Sequence, residues 1–237
     1  MNEWQERTEL LLGDKIERIR EANVLVIGLG GVGAMAAEIL CRSGIGQMTI
    51  ADGDTVHESN INRQFIATQN TVGKSKAEEL GKRFLNINPN LKLNVINDFI
   101  PDEKMADLLK SDEFDYIIDA IDTIAPKVSL IYNAFKLQIP IISSMGAGGR
   151  IDPSKVMVSD ISKSFNCPLA RSVRKRLHKM KVYKGVKVVF SSEISNKDSL
   201  VFVEEKNKKT SLGTISYLPA IFGIYAASEV IRDLIKD

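Results

Sequence analysis

A short apolar run followed by closely spaced glycines constrains the fold of this chain more than any other feature. Residues 24–27 have the composition of a strand buried on both faces. Glycines follow in a GxGxxG spacing with one additional glycine, and residues 34–43 then favour a helix that ends at Gly44. The turn contains Gly28, Gly30, Gly31 and Gly33. This order predicts a phosphate site, because glycines allow close approach and a helix N-terminus offers N–H groups and a positive dipole.

Strand and helix patterns alternate through the first 150 residues. A strand predicted at 47–51 ends at Asp52, where an acidic residue of a Rossmann-type unit accepts hydrogen bonds from ribose hydroxyls. Further strands are predicted at 91–97, 116–120 and 140–143, and helices at about 76–88, 102–110 and 124–137. The alternation predicts an α/β fold, Rossmann-like and doubly wound, with a mostly parallel sheet.

The pattern changes after Asp152. Strands are predicted at 156–159, 186–191 and 200–203, and a helix at 168–180; these strands are expected to continue the same sheet in antiparallel orientation. An amphipathic helix is predicted at 3–22. With no repeat and no long linker, we predict a single domain over residues 1–237, with a nucleotide-binding half at 1–150 and a second half at 151–237.

The uncharged stretch at 210–228 resembles a membrane span in composition. It contains Gly213, Pro219 and Gly223, and a helix starting near Pro219 has only about ten apolar-rich residues before the next charge, too few to cross a bilayer. A buried C-terminal helix is therefore predicted.

Composition excludes several classes of protein. The net charge is only +2, so any nucleic-acid signal must come from local clustering. The two cysteines, Cys41 and Cys167, form no CxxC pair, which excludes a disulfide framework and a cysteine zinc site. The polar N-terminus is unlike a signal peptide, and with the cysteine content it predicts a cytoplasmic protein.

Five motifs occur in the order typical of the ubiquitin-activating-like (ThiF-type) adenylyltransferases, which this chain resembles. They are Gly28–Gly33, Asp52–Asp54, Ser59–Gln64, Lys74–Lys76 and Ala120–Asp122. A nicotinamide dehydrogenase explains the glycines and Asp52 but leaves the other motifs unexplained. Further stretches are similar to the tRNA threonylcarbamoyladenosine dehydratase family within this superfamily. They are Arg7–Gly13, Asp119–Asp122, Gly146–Pro153, Pro168–Arg171 with Val173–Arg174, Val189–Ser191 and Gly213–Pro219.

The resemblance implies an activity. Members of this family use ATP to cyclise the threonylcarbamoyl group on the adenosine beside the anticodon of certain tRNAs, through an acyl-adenylate that releases AMP when the ring closes. The alternative within the superfamily is an adenylyltransferase that activates the C-terminus of a ubiquitin-like sulfur-carrier protein. The missing CxxC pairs disfavour this alternative.

The resemblance also implies roles for individual residues. Beyond the glycine turn and Asp52, it implies that Asn60, Arg63 and Lys76 face the triphosphate and that Gln64 also binds the nucleotide. The neighbouring Lys74 is a possible decoy for Lys76. Asp122 follows a predicted strand and is expected to hold Mg²⁺. Arg7 matches an arginine that family members insert into the ATP site of the partner subunit, which implies a homodimer.

A basic segment lies in the second half of the chain. No acidic residue occurs between Ile161 and Ser192, and the segment at 163–187 carries nine Lys and Arg residues. They are Lys163, Arg171, Arg174, Lys175, Arg176, Lys179, Lys181, Lys184 and Lys187. A cluster of this kind in a nearly neutral chain favours tRNA as a partner, with a solvated helix face as the alternative. A catalytic thiol at Cys167 and a sulfur-relay partner remain open.

Overall fold

Seven strands form one twisted sheet in a computed structural model that describes residues 3–205 and 208–236. The strands are β1 (Asn23–Ile27), β2 (Gln47–Ala51), β3 (Lys92–Ile96), β4 (Tyr116–Asp119), β5 (Ile141–Ser144), β6 (Val156–Asp160) and β7 (Lys187–Ser191). Their spatial order is β3-β2-β1-β4-β5-β7-β6. Strands β3, β2, β1, β4, β5 and β7 run parallel, and β6 pairs antiparallel with β7.

The predicted doubly wound, mostly parallel sheet is therefore confirmed, and β6 provides its antiparallel continuation. The strand predicted at 186–191 corresponds to β7, and its expected antiparallel orientation is wrong, because β7 pairs parallel with β5. The expectation that the strand at 200–203 continues the sheet is wrong. It belongs to β8 (Leu200–Glu205), which pairs with β9 (Lys208–Leu212) in a separate two-stranded hairpin. The sequence predicts no strand at 208–212. The strand predicted at 200–203 therefore has no expected local partner, which is why it was expected in the large sheet.

The described residues also form eight α-helices. They are α1 (Glu6–Leu12), α2 (Ile16–Glu21), α3 (Gly33–Arg42), α4 (Lys76–Ile87), α5 (Met105–Lys110), α6 (Ile124–Leu137), α7 (Pro168–Lys179) and α8 (Tyr217–Leu234). The helix predicted at 3–22 is broken in its middle. Gly13 has a φ of +56° and ends α1, because a left-handed residue interrupts the helical hydrogen-bond ladder.

The core divides into two layers on the two faces of the sheet. Successive residues of β1 point to opposite faces, so Val24 and Val26 pack with α3 and α8, while Leu25 packs with α5, α6 and α7. Both faces are covered, which is why every residue of the central strands β1 and β4 is buried. This packing brings the ends of β1 and β4 together beneath the glycine turn.

The C-terminal helix is buried as predicted. Leu218, Phe222, Ala226 and Val230 of α8 have no exposed surface and belong to the core layer that contains α3. Within residues 3–205 and 208–236, no helix combines the length and the apolar character that a bilayer crossing requires.

Candidate functional site

The glycine turn lies at the point where the strand order reverses direction. β1 has β2 on one side and β4 on the other, so a crevice opens at the carboxyl ends of these strands. Gly28 has a φ of +88°, and a Cβ atom there would lie 2.7 Å from the backbone oxygen of Ala120. A Cβ atom on Gly33 would lie 1.8 Å from the oxygen of Gly28. These two glycines therefore permit the turn to pack onto the end of β4.

The middle of the turn faces the polar loop that follows β2. A Cβ atom on Gly31 would lie 3.0 Å from both the oxygen of Arg63 and the Cβ atom of Pro219, whereas one on Gly30 would lie 3.6 Å from Nε2 of Gln64. The Gln64 side chain is buried, and its Oε1 atom has no hydrogen-bond partner within the described part of the chain. An orphaned buried oxygen costs about 1–3 kcal/mol, so this position suits a bound ligand. The Oε1 atom of Gln64 and the close packing of the glycines are the two observations that fit a nucleotide bound at this turn.

Asp52 follows β2 and is anchored by the backbone. Its Oδ2 accepts the N–H of Leu29 at 2.6 Å and its Oδ1 accepts the N–H of Asp54 at 2.8 Å. Burial raises the pKa of Asp52, and the positive charge of Lys76 opposes this shift. Each carboxylate oxygen has a second lone-pair direction, so Asp52 can also accept hydrogen bonds from two hydroxyl groups.

Lys76 and Lys74 differ sharply in environment. Lys76 begins α4, its side chain is only 6% exposed, and its Nζ lies 2.9 Å from Oδ2 of Asp54. Lys74 is exposed. Asp54 therefore holds the buried ammonium beside Asp52. A cation held in this way supplies a fixed positive charge close to the glycine turn.

Asn60, Arg63 and Asp122 complete the group at this edge. Asn60 is buried, and its Oδ1 accepts the N–H of His57 at 3.2 Å. Nη1 of Arg63 donates to the oxygen of Ser59 at 2.8 Å. Burial lowers the pKa of the half-buried Arg63, and the nearby Asp122 carboxylate raises it again in part. The structure thus brings Arg63 and Asp122 near each other, with Asp122 exposed just beyond β4.

Arg7 is the predicted site residue that the fold does not bring to this edge. It is exposed on α1, and the preceding Gln5 packs against Gly44, just before β2 at the amino-terminal edge of the sheet. The glycine turn lies at the opposite, carboxyl-terminal edge. Within one chain, Arg7 is therefore separated from the other candidate residues by the length of the strands.

Three buried charged residues were not predicted from the sequence as individual site residues. Asp119 and Lys127 form an ion pair of 2.7 Å with no exposed surface on either side chain. Arg150 is buried and donates to the backbone oxygens of Gly146, Asn166 and Glu193. It therefore joins the glycine-rich stretch at 146–149 to two other segments of the chain. A lysine within the apolar pattern of α6, and an aspartate that ends an apolar strand, were the signals for the ion pair.

The two cysteines are buried. The Sγ atom of Cys167 accepts the N–H of Ala170 at 3.5 Å and caps the N-terminus of α7. Burial raises the pKa of the Cys41 thiol to about 11, which keeps this core thiol protonated. The Cys167 side chain therefore has a structural role as the N-terminal cap of α7.

The nine basic residues of the segment at 163–187 divide into two groups. Seven are exposed: Lys163, Arg171, Lys175, Arg176, Lys179, Lys181 and Lys184. Nη1 of Arg174 donates to the oxygens of Ile161 and Ser164, and Nζ of Lys187 contacts Glu229 and Asp233. Arg174 and Lys187 therefore make contacts within the fold. The solvent-exposed positive charge of the segment comes from the other seven residues.

Comparison with known proteins agrees with this arrangement. The ThiF family model matches residues 5–237. A tRNA threonylcarbamoyladenosine dehydratase from Bacillus subtilis is 37% identical, and the match covers 98% of this chain and 94% of the relative. The crystal structure of the Escherichia coli tRNA N6-threonylcarbamoyladenosine dehydratase TcdA in complex with ATP has a TM-score of 0.89 at 34% identity, covering 99% of this chain and 96% of that chain. The chain belongs to the tRNA threonylcarbamoyladenosine dehydratase family.

The dehydratase family accounts for more of the chain than the sulfur-carrier activators do. A molybdopterin-synthase adenylyltransferase from Escherichia coli is 33% identical, but the match covers 59% of this chain and 54% of the relative. The molybdopterin-synthase adenylyltransferase match extends over 139 residues, whereas the Bacillus subtilis dehydratase matches nearly the whole chain.

Proposed function

We propose that this protein is an ATP-dependent, AMP-forming tRNA threonylcarbamoyladenosine dehydratase that cyclises the modified adenosine beside the anticodon. The observation that carries the proposal is the convergence of Asp52, Arg63, Lys76 and Asp122 around the glycine turn at the carboxyl edge of the sheet. Full-length relatives with this activity support it, as does the ATP-bound structure of the Escherichia coli enzyme.

The chemistry requires that two anions be brought together. The substrate carboxylate attacks the α-phosphorus of ATP, which forms an acyl-adenylate and releases pyrophosphate. The carbamoyl oxygen then attacks the activated carbonyl carbon, closes the ring and releases AMP with the former carboxylate oxygen. The net change in the nucleoside is the loss of one water. Catalysis of this kind depends on positioning and on stabilising negative charge at the phosphates.

The residues divide this work among them. The glycine turn offers backbone N–H groups to the phosphates just ahead of the hydrogen-bond ladder of α3, which begins where the Ala34 N–H donates to the Gly30 oxygen. Asp52 accepts hydrogen bonds from the ribose hydroxyls. Arg63 and Lys76 neutralise charge that develops on the phosphates, with Asn60 and Gln64 as polar contacts.

Asp122 suits a Mg²⁺ ion shared with the phosphates. Within the described residues, no group of three or more His, Cys, Asp or Glu side chains could hold a metal by itself. This agrees with Mg²⁺, which is often bound by one or two carboxylates together with substrate phosphates and water. When bound, the ion offsets phosphate charge and favours departure of pyrophosphate.

The second half, residues 151–237, is proposed to receive the tRNA through the exposed cations of the basic segment. Arg171, Lys175 and Lys179 follow one another at four-residue intervals on α7, while Val173 and Leu177 on the other face are buried. Cations on the free face are suited to phosphate contacts that position an RNA without reading its sequence.

The functional unit is proposed to be a cytoplasmic homodimer. Arg7 lies far from the site of its own chain, and the neighbouring Leu10 and Leu11 are 80% and 81% exposed on the same short helix. An exposed apolar pair beside a cation fits a subunit contact that delivers Arg7 to the partner's ATP site. A sulfur-relay protein is a candidate additional partner, and reconstitution with the purified chain alone tests whether it is needed.

The deciding experiment measures AMP release from ATP with and without tRNA that carries the threonylcarbamoyl group. AMP formed only with that tRNA, together with loss of one water from the nucleoside by mass after non-hydrolytic work-up, is the expected result. Turnover that requires a small ubiquitin-like protein instead would replace the proposal with the adenylyltransferase alternative.

A further inference from the structure

A buried polar cluster lies directly beneath the proposed metal-binding residue. Asp119 is the last residue of β4, Lys127 lies in the first turn of α6, and Ser143 lies near the end of β5. Nζ of Lys127 donates to Oδ2 of Asp119 at 2.7 Å, and Oγ of Ser143 donates to the same oxygen at 2.5 Å. The Ser143 oxygen also accepts from Lys127 at 3.2 Å. All three residues are fully buried.

Net stability alone does not explain such a cluster. Replacing a buried ion pair by apolar residues of similar volume is often neutral or stabilising, because burial removes both charges from water. The other carboxylate oxygen of Asp119 indicates a local structural role for the cluster. Its Oδ1 accepts the N–H of Ile121 at 3.0 Å, which fixes the turn that leaves β4.

This turn forms the floor of the nucleotide site. The Ala120 oxygen and Cβ atom lie against Gly28 and Gly33, at 2.7 Å and 3.0 Å from ideal Cβ positions there. Asp122 follows immediately, and α6 begins at Ile124. The ion pair joins the residue before the turn to the helix after it, so it holds the segment 120–123 from both sides.

We propose that the Asp119–Lys127–Ser143 cluster positions the segment 120–122, and through it the carboxylate of Asp122, relative to the glycine turn. Lys127 and Ser143 are then positioning residues for the metal-bound nucleotide and touch neither ATP nor metal. The inference rests on the proposed function only where it assigns Mg²⁺ to Asp122. The ordering of the turn stands on the contacts alone.

Two variants test the role of the cluster without leaving a buried charge unpaired. The double variant Asp119→Asn/Lys127→Met removes both charges, and Ser143→Ala removes one hydrogen bond from the carboxylate. Arg83→Met is the control, because it breaks the ion pair of Arg83 with the largely buried Glu38 on the α3 side of the sheet. Thermal unfolding of each purified full-length chain establishes that it is folded.

Two measurements are then made on each variant. The first is hydrogen exchange at the amide of Ile121. The second is ATP binding at increasing Mg²⁺ concentrations, with a parallel titration in a chelator. In the double variant we expect exchange of this amide to accelerate at least tenfold and the half-saturating Mg²⁺ concentration to rise about tenfold. ATP affinity in the chelator should stay within about threefold. Ser143→Ala should shift both readouts in the same direction by a smaller factor, and Arg83→Met should shift neither.

The outcomes separate this inference from the proposed function. Unchanged exchange at Ile121 in the double variant would overturn it, as would faster exchange with an unchanged Mg²⁺ requirement. Equal effects in the Arg83→Met control would reduce the cluster to general stability and also overturn it. If ATP binding to the unmodified protein did not respond to Mg²⁺, the metal role of Asp122 would fail, and the exchange result would still decide whether the cluster orders the turn.

Discussion

Single residues at the carboxyl edge of the sheet differ in how much structure depends on them. Asp52 and Lys76 are anchored within the fold by neighbouring groups, and the side chain of Asp122, which lies near Arg63, is exposed beyond its strand. A residue exposed at the site can be replaced with little effect on the fold, so its chemical role can be measured separately from stability.

Replacement of Asp122 by alanine should abolish ATP turnover in a folded protein. Loss of a carboxylate that holds the phosphate-bound ion is expected to lower AMP formation at least about 100-fold, while the melting temperature stays close to that of the unmodified chain. Asp107→Ala, at an exposed position of α5, is the matched control and should leave both values unchanged. Activity that survived in Asp122→Ala would show that the metal assignment is wrong.

The glycine turn gives a prediction in which two neighbouring positions respond differently. Gly33→Ala places a Cβ atom 1.8 Å from the Gly28 oxygen, so either the turn or α3 must move, at a cost of about 3 kcal/mol or more. A Cβ atom added by Gly30→Ala lies 3.6 Å from Nε2 of Gln64, so this variant should change the free energy of unfolding by less than about 1 kcal/mol. Urea unfolding of both variants compares them directly, and similar losses would contradict the packing described for the turn.

The candidate site was predictable where a residue is tied to a local motif. Gly28, Asp52, Lys76 and Asp122 each follow or begin a recognisable element, and parallel strands bring their carboxyl ends to one edge. The partnership of Lys76 with Asp54, or of Asp119 with Lys127, depends on side-chain directions that spacing does not specify. Local motifs therefore predicted the members of the site, and the contacts among them required the fold.

At the scale of elements, α7 presents a free basic face and a buried apolar face. The sequence predicted its bounds closely because Pro168 marks the start and the buried positions recur with helical spacing. Charge alone could not distinguish Arg174, whose guanidinium bonds backbone oxygens, from its solvent-facing neighbours. The hairpin strand β9 was missed because residues 208–212 are mostly polar and lack the alternating apolar pattern that indicates a strand.

Removing three exposed cations from α7 should weaken tRNA binding without destabilising the protein. The triple variant Arg171→Ala/Lys175→Ala/Lys179→Ala is expected to lower affinity at least about tenfold and to reduce the slope of log affinity against log salt by about 2. Filter binding at several salt concentrations measures both quantities. Arg174→Ala is the contrasting variant, and it should lose about 1–3 kcal/mol of stability while keeping most of the salt slope.

At the scale of the whole molecule, α8 connects parts of the chain that are distant in sequence. The carboxylate of Asp233 accepts hydrogen bonds from Tyr116 of β4 and from Lys187 of β7. Burial alone would raise the pKa of Asp233, but the hydrogen bonds from Lys187, Lys236 and Tyr116 outweigh it and lower the pKa to about 2. The helix is thereby tied to two strands of the sheet by one ionised group.

This linkage predicts an acid-dependent contribution to stability. A carboxyl group whose pKa is lowered in the folded state stabilises the fold above its unfolded pKa of about 3.8, and loses this effect as the pH falls towards 2. Asp233→Asn should therefore be less stable than the unmodified protein by a constant amount above about pH 5, and the difference should shrink below pH 4. Urea unfolding at a series of pH values measures it, and a difference independent of pH would contradict the assignment.

The dimer proposal also makes a prediction for the whole assembly. If Arg7 acts in the partner's site, Arg7→Ala and Asp122→Ala chains are each inactive alone, but a mixed dimer regains one complete site. Random mixing by unfolding and refolding should restore about a quarter of the activity of the unmodified protein. Mixtures that stay inactive would place Arg7 outside the partner's site.

The contact between Pro219 and Gly31 has a consequence for co-translational folding. Gly31 is synthesised long before α8, the helix that packs against its turn, and the Gly223 backbone packs directly against Val32. While the exit tunnel still holds α8, the emerged chain exposes the apolar side of α3 that this helix later covers. The nascent chain is thus aggregation-prone until α8 has emerged, and the packing behind the glycine turn is completed only then.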